Sequence, residues 1–261
     1  MYRTVTLTTD FGVRDPYVAA MKGVLLDICP NVRIVDLTHE IGPQNIAEGA
    51  LFLAGAVPYF PKETIHVAVI DPGVGTERRP IVLRTLEQYI VCPDNGLAAL
   101  LVRQSPWEAR VISNSAFMRD TISPTFHGRD IFAPAAAHLA SGAPFDQVGS
   151  PIESLVTLAW PEPTVDASGA IHGQVVHVDR FGNLITNIHH SMVREPASAS
   201  VHLGAHALDG IQSTYGELPL GKPLTLFGSS GYLEIAVNSG SAAEAFAAAA
   251  GEHVTVTLTA S

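Results

Sequence analysis

Residues 64–70 read Thr-Ile-His-Val-Ala-Val-Ile, an almost unbroken apolar and β-branched run. A strand of that kind is buried on both faces, so it calls for helices packed above and below its sheet. The preceding chain supplies them. Residues 3–9 alternate polar with apolar or β-branched side chains and stop at Asp10-Phe11-Gly12. Asp15-Pro16 then offers an N-cap with proline at the first helical position, and Tyr17, Ala20, Met21, Val24, Leu25 and Ile28 recur at helical spacing up to Pro30. Arg33–Leu37 reads as a second strand and Gln44–Val57 as a second helix. This strand-helix-strand-helix-strand order predicts an α/β N-terminal domain with a mainly parallel sheet and right-handed crossovers. Residues 81–83 and 88–92 read as further strands, and a Leu/Ala helix reaches about Val102. Residues 130–140 form an Ala-rich helix with Asp130 at the end where the dipole favours an anion.

The composition changes near residue 150. Pro151, Trp160, Pro161, Glu162 and Pro163 mark a linker, and beyond it come short β-like runs at 173–178, 184–188, 224–227, 232–237 and 253–258. Only 241–250, behind a serine cap, looks helical. The expectation is a small, mostly antiparallel, all-β and barrel-like C-terminal domain, giving domains at 1–155 and 165–261. A chain of 261 residues with 47% hydrophobic side chains can bury a sizeable core. A net charge of −10 without any long Lys/Arg cluster argues against nucleic acid as a partner. The N-terminus has no apolar signal core, and the chain has no apolar run of about 18 residues, so a soluble cytoplasmic protein without membrane partners is expected. Cys29 and Cys92 have neither CxxC nor Cys/His metal spacing and read as reduced, buried thiols.

In open parallel sheets ligands bind beyond the carboxyl ends of the strands. Asp10, Asp71 and Asp94 each lie just past a different expected strand. Any one of them alone suits a turn or a cap, but three carboxylates at one sheet edge suit a site. Asp71 opens Asp-Pro-Gly-Val-Gly-Thr-Glu-Arg-Arg, where two glycines and two guanidinium groups follow the carboxylate. Arg78 occupies the position of the third glycine of a dinucleotide fingerprint, which argues against a Rossmann cofactor. Asp10-Phe11-Gly12 spells the kinase magnesium motif, but no Gly-rich or catalytic loop precedes it. His127, on a loop before a helix in Pro124-Thr-Phe-His-Gly-Arg-Asp130, is a candidate general base, or else an exposed or capping imidazole. In Asp179-Arg-Phe-Gly-Asn183 a carboxylate and an amide flank Phe181, which suits ribose hydroxyls or base edges and a stacked ring, or else a plain turn. Phe227-Gly-Ser-Ser-Gly-Tyr232, leading to Asn238, offers close backbone approach to a ligand, or a hairpin.

Taken together and in order, Thr9–Gly12, Asp71–Gly75, Phe126–Asp130, Asp179–Asn183 and Ser229–Tyr232 resemble the S-adenosylmethionine hydrolase (hydroxide adenosyltransferase) family, relatives of the S-adenosylmethionine-dependent fluorinase and chlorinase. The resemblance spans nearly the whole chain. It implies conversion of S-adenosylmethionine and water to adenosine and L-methionine, without metal or dissociable cofactor. It also implies a homotrimer whose substrate lies between one subunit's N-terminal domain and its neighbour's C-terminal domain. Asp71, Arg78 and His127 match the family's catalytic group, with Arg79 as the adjacent alternative guanidinium. Asp10, Asp179 and Asn183 match contacts to the nucleoside or methionine portion, with Phe181, Ser229, Tyr232 and Asn238 nearby. His127 stands where the halogenases carry other residues, the extra N-terminal loop of the fluorinase is absent, and Ser230 replaces a fluorinase arginine. Rival readings are a halogenase using chloride or fluoride, a non-catalytic nucleoside-binding protein, and a metal-dependent phosphoesterase.

Overall fold

The first seventy residues fold as β1 (Thr4–Thr9), α1 (Tyr17–Ile28), β2 (Arg33–Thr38), α2 (Ile46–Ala56) and β3 (Ile65–Val69) in a computed structural model that describes residues 3–103 and 105–258. In α1, Val18, Met21, Val24 and Leu25 form the buried stripe. Pro16 itself occupies the N-cap and no side chain caps this helix, which corrects the assignment of that position to Asp15. In α2, the Asn45 side chain accepts from Glu48 N at 3.1 Å and donates through Nδ2 to Glu48 Oε2 at 3.0 Å, while the same Oε2 accepts from Gly42 N at 3.0 Å, and these bonds fix the helix start.

The sheet of this unit is mixed, which corrects the expectation of a mainly parallel one. Its order is β2-β1-β3-β5-β4-β6-β7, where β4 is Pro80–Thr85, β5 is Gln88–Pro93, β6 is Trp107–Val111 and β7 is Pro151–Ile152. The pairs among β2, β1, β3 and β5 are parallel, and those joining β5, β4, β6 and β7 are antiparallel. The cause is local. Leu86 and Glu87, with φ of 53° and 57°, close β4 onto β5 in a two-residue hairpin, too short for a crossover. Beyond β5 come α3 (Ala99–Val102) and α4 (Ala133–Ala140). Met21 and Leu25 of α1 join Ala135, Ala136 and Leu139 of α4 in one cluster with Val5, Leu7 and Val67 of the sheet. Leu53 of α2 joins Ile70, Leu83 and Ile90 in a second cluster. Between β1 and β5 the buried His66 is satisfied by Thr6 Oγ1 at 2.7 Å and Gln88 Oε1 at 3.0 Å.

The chain divides into two compact units between Ala159 and Trp160. The second contains β8 (Thr164–Val165), β9 (Ile171–Val178), β10 (Leu184–His189), β11 (Ala199–Leu203), β12 (His206–Asp209), β13 (Pro223–Phe227), β14 (Tyr232–Val237) and β15 (His253–Leu258). All its strand pairs are antiparallel, in the order β12-β11-β15-β9-β10-β14-β13, with β8 on β9. The segment after β12 reaches the far edge. Gln212 N donates to Thr225 O at 2.8 Å, and Thr225 Oγ1 donates to Gly210 O at 2.7 Å, so the sheet nearly closes into a barrel. Strands β11 and β12 are additions to the pattern read from sequence. Helix α5 (Ala242–Phe246) is capped as expected, Ser241 Oγ accepting from Glu244 N at 3.1 Å, but it ends early where Ala247 turns left-handed at φ 51°. Among the described residues no helix is long and apolar enough to cross a membrane. Cys29 and Cys92 are free thiols, and burial pushes the Cys92 thiol up.

Candidate active site

Strand β3 delivers Asp71 two residues past its end. The backbone then turns sharply, with Val74 N donating to Asp71 O at 3.2 Å and Thr76 Oγ1 to Gly73 O at 2.7 Å, and this returns Arg78 to the carboxylate. Arg78 Nε lies 2.9 and 3.0 Å from the two Asp71 oxygens, and Nη2 donates to Oδ2 at 2.5 Å. The same Nη2 lies 2.7 Å from His127 Nδ1, while the guanidinium carbon stands 5.3 Å from the Phe132 ring centre. The Arg78 and Asp71 side chains are only 9% and 4% exposed, so this charge pair is largely withdrawn from water. His127 is held below the usual imidazole range, chiefly by burial and then by the Arg78 charge, against the opposing pull of Asp71 and Asp130.

His127 occupies the position just before a π-helical turn, Gly128–Phe132, without a capping hydrogen bond from its side chain, and that turn runs straight into α4. Asp130 in that turn is fully buried, as a carboxylate must be only when satisfied. It accepts from Ser123 N at 2.9 Å and from Arg129 at 2.7 and 2.8 Å. Gly75, at φ +77°, lies so close to the carbonyl of Pro124 that a Cβ there would overlap it. The loop carrying Asp71 and the loop carrying His127 are therefore packed backbone to backbone.

The neighbouring guanidinium does something different. Arg79 Nε donates to Asp94 Oδ2 at 2.8 Å and Nη2 to Ser154 O at 2.8 Å, while Asp94 Oδ1 accepts from Val156 N at 2.9 Å. Arg79 and Asp94 thus fasten the chain around residues 154–156, and Asp94 is committed to that tie. Asp10 follows β1, whose Thr9 is paired with Val69 of β3, so Asp10 and Asp71 leave adjacent strands at the same end. Asp10 Oδ2 accepts from Gln44 N at 2.7 Å.

The remaining candidates belong to the second unit, around a cavity of about 890 Å³ lined by Asp179, Phe181, Asn183, Ser229 and Asn238. Asp179 closes its own turn, Oδ1 accepting from Phe181 N and Asn183 N at 2.8 Å each and Oδ2 from Asn183 Nδ2 at 2.9 Å. That turn leaves Phe181 75% exposed, an aromatic face beside the cavity. Tyr232 lies outside the lining and packs instead at 5.6 Å from the His189 ring. Tyr215 and Glu234 line the cavity and were not read from the sequence. Glu234 is 8% exposed and accepts from the Tyr215 hydroxyl at 2.8 Å. Burial and the Asp179 charge push its carboxyl up against the lowering effect of Tyr215, and burial with Glu234 pushes the Tyr215 hydroxyl up to about 12. The signal was a single carboxylate within Tyr-Leu-Glu-Ile-Ala-Val of β14. Among the described residues no group of three or more His, Cys, Asp or Glu is placed to hold a metal ion.

Residues 5–149 match the family model of the SAM hydroxide adenosyltransferase N-terminal domain, and residues 173–255 match that of the C-terminal domain. A protein of Thermus thermophilus named (R)-S-adenosyl-L-methionine hydrolase is 40% identical, covering 93% of this chain and 95% of that protein. Another of the same name from Salinispora tropica is 38% identical, covering 97% of each. A fluorinase of Actinoplanes sp. is more distant, at 30% over 97% of each chain. The crystal structure of an uncharacterized conserved protein from Thermotoga maritima superposes with a TM-score of 0.90 at 35% identity, covering 97% of this chain and 99% of that one. With both domain models matched over most of its length, the chain belongs to the SAM hydroxide adenosyltransferase family.

Proposed function

We propose that this chain hydrolyses (R)-S-adenosyl-L-methionine to adenosine and L-methionine. The observation that carries this reading is the full-length likeness to proteins named as that hydrolase, at 40% identity against 30% for a fluorinase. The Arg78 bridge between Asp71 and His127 supports it.

The chemistry places all its demand on the nucleophile. Attack at C5′ expels methionine as a neutral thioether, so the leaving group needs neither an acid nor a metal. Water, with a pKa of about 15.7, must lose a proton as it attacks. In the proposed mechanism Arg78 stabilises the developing hydroxide, and Asp71 fixes the guanidinium and orients the water. His127 receives the proton on Nδ1 as the Nη2 hydrogen bond to that nitrogen is released, the guanidinium staying anchored to Asp71 through Nε. Holding water in line with the departing sulfur adds the gain of positioning. Asp10, Asp179 and Asn183, with Phe181, Ser229, Tyr232 and Asn238, are proposed to bind the nucleoside and methionine portions. The proposal includes domains at 1–155 and 165–261, a cytoplasmic homotrimer sharing substrate between subunits, and no metal or dissociable cofactor.

Incubating the purified protein with S-adenosylmethionine in the presence of chloride or fluoride, then separating the products by chromatography, tests the reading. Adenosine is the expected product. 5′-Halo-5′-deoxyadenosine would establish a halogenase instead, and absence of turnover would leave a binding protein. A sizing column should place the protein near three times 27.6 kDa.

A further inference from the structure

We infer that the cavity of the second unit recognises positive charge without requiring a carboxylate, so that the protein also hydrolyses decarboxylated S-adenosylmethionine, the sulfonium nucleoside that ends in a bare aminopropyl group. This rests on the hydrolase reading and extends its substrate class.

The cavity, about 890 Å³, has the size of a site for a nucleoside-sized ligand. The charged side chains in its lining are Asp179 and Glu234, and no Lys, Arg or His joins them. Arg180, in the turn that carries Asp179, is exposed and outside the lining. Glu234 is fixed on two sides. The Tyr215 hydroxyl donates to Oε2 at 2.8 Å, and the backbone of Gly228 lies so near that a Cβ there would overlap the carboxylate.

The amide donors of the lining are already engaged in part. Asn183 Nδ2 donates to Asp179 Oδ2 at 2.9 Å, and Asn238 Nδ2 donates to Leu218 O at 2.7 Å. S-Adenosylmethionine brings a sulfonium, an ammonium and a carboxylate. Within this lining the two carboxyl side chains attract positive charge, and a substrate carboxylate finds only neutral donors and no cationic side chain. Such a lining favours a dication over a zwitterion carrying one net positive charge.

The reaction is the same displacement. The water oxygen bonds to C5′, the C5′–S bond breaks, and its electron pair stays on sulfur. The products are adenosine and 3-(methylthio)propylamine, with the water proton passing to His127 and then to solvent. Nothing is oxidised or reduced.

The test compares kcat/KM for S-adenosylmethionine and its decarboxylated form with the purified full chain, following adenosine by chromatography, and measures binding of each by calorimetry. A decarboxylated substrate within about tenfold of S-adenosylmethionine, or better, supports the inference. A value more than about tenfold lower, with S-adenosylmethionine turned over normally, overturns it. If neither compound is hydrolysed, the hydrolase reading fails, and calorimetry decides the charge argument: binding of the decarboxylated form at least as tight as that of S-adenosylmethionine supports it, and weaker binding overturns it. Glu234→Gln should weaken the dication more than S-adenosylmethionine, and an equal effect on both would overturn the inference.

Discussion

Arg78 Nη2 lies 2.7 Å from Nδ1 of His127 while donating to Asp71 Oδ2 at 2.5 Å. An arginine nitrogen only donates, so Nδ1 accepts and the ring proton of neutral His127 sits on Nε2. One guanidinium therefore fixes the tautomer of the proposed base and cancels the charge of the carboxylate behind it. The planar fork makes this double engagement possible, and a lysine ammonium on a flexible stem reproduces only one of its arms.

Arg78→Lys should therefore lower kcat by about 10²-fold, and Arg78→Ala by about 10²–10³-fold, with KM changed only a few-fold. Arg79→Ala should leave kcat nearly unaltered and cost about 1–3 kcal/mol of stability, because it strips a partner from the buried Asp94 carboxylate. Steady-state kinetics and urea unfolding of the three variants separate these effects. A large kcat loss in Arg79→Ala with none in Arg78→Ala would transfer the proposed role to the other guanidinium.

The acid limb of kcat/KM should fall below the ordinary imidazole value of 6.5. Burial and Arg78 both disfavour the charged ring, so the neutral form that can accept a proton persists to lower pH. In Arg78→Ala one of those causes is gone while Asp71 and Asp130 still favour protonation, so the limb of the residual activity should move upward. A wild-type limb at or above 6.5 would contradict this account of His127.

Much of this arrangement is legible along the chain, because βα units announce themselves through apolar period and caps. The run before Asp71 and the helical stripe of Met21, Val24 and Leu25 are of that kind. The parallel bias failed at Leu86-Glu87, a hairpin made by two residues at positive φ that carry no Asn-Gly signal. Strands β11 and β12 escaped because histidines and short length dilute the alternation in Ala199–Leu203 and His206–Asp209. The choice between Arg78 and Arg79 was equally closed to sequence, since adjacent residues differ only in where the turn aims them. Glu234 was overlooked because its partner, Tyr215, lies 19 residues away on a loop before β13.

His66 should make the protein sensitive to acid. Its pKa is lowered from 6.5 to about 4, chiefly by burial, so the unfolded state binds the proton first as pH falls. This contribution is fully present above 6.5 and is lost as pH drops through 4, amounting to about 3 kcal/mol. Urea midpoints measured from pH 7 to pH 4 should show that loss in the wild type and a flatter course in His66→Gln, which carries no titrating ring. Parallel curves for the two proteins would place the acid sensitivity elsewhere.

Gly75 and Gly12 offer a matched test of the packing between the loop that carries Asp71 and the loop that carries His127. Both have positive φ, +77° and +64°, so alanine at either position meets the same backbone strain, about 1 kcal/mol. Around Gly12 no atom lies within 4 Å of the added Cβ, whereas at Gly75 it runs into the Pro124 carbonyl, three residues before His127. Gly75→Ala should therefore cost about 1–3 kcal/mol more than Gly12→Ala, because a backbone carbonyl cannot yield as a side chain does. It should also lower kcat, since relieving the overlap separates Arg78 from the loop that holds its histidine partner. Equal unfolding midpoints for the two variants, with kcat unchanged in Gly75→Ala, would show that the loops are free to part and that the Arg78–His127 hydrogen bond does not depend on their contact.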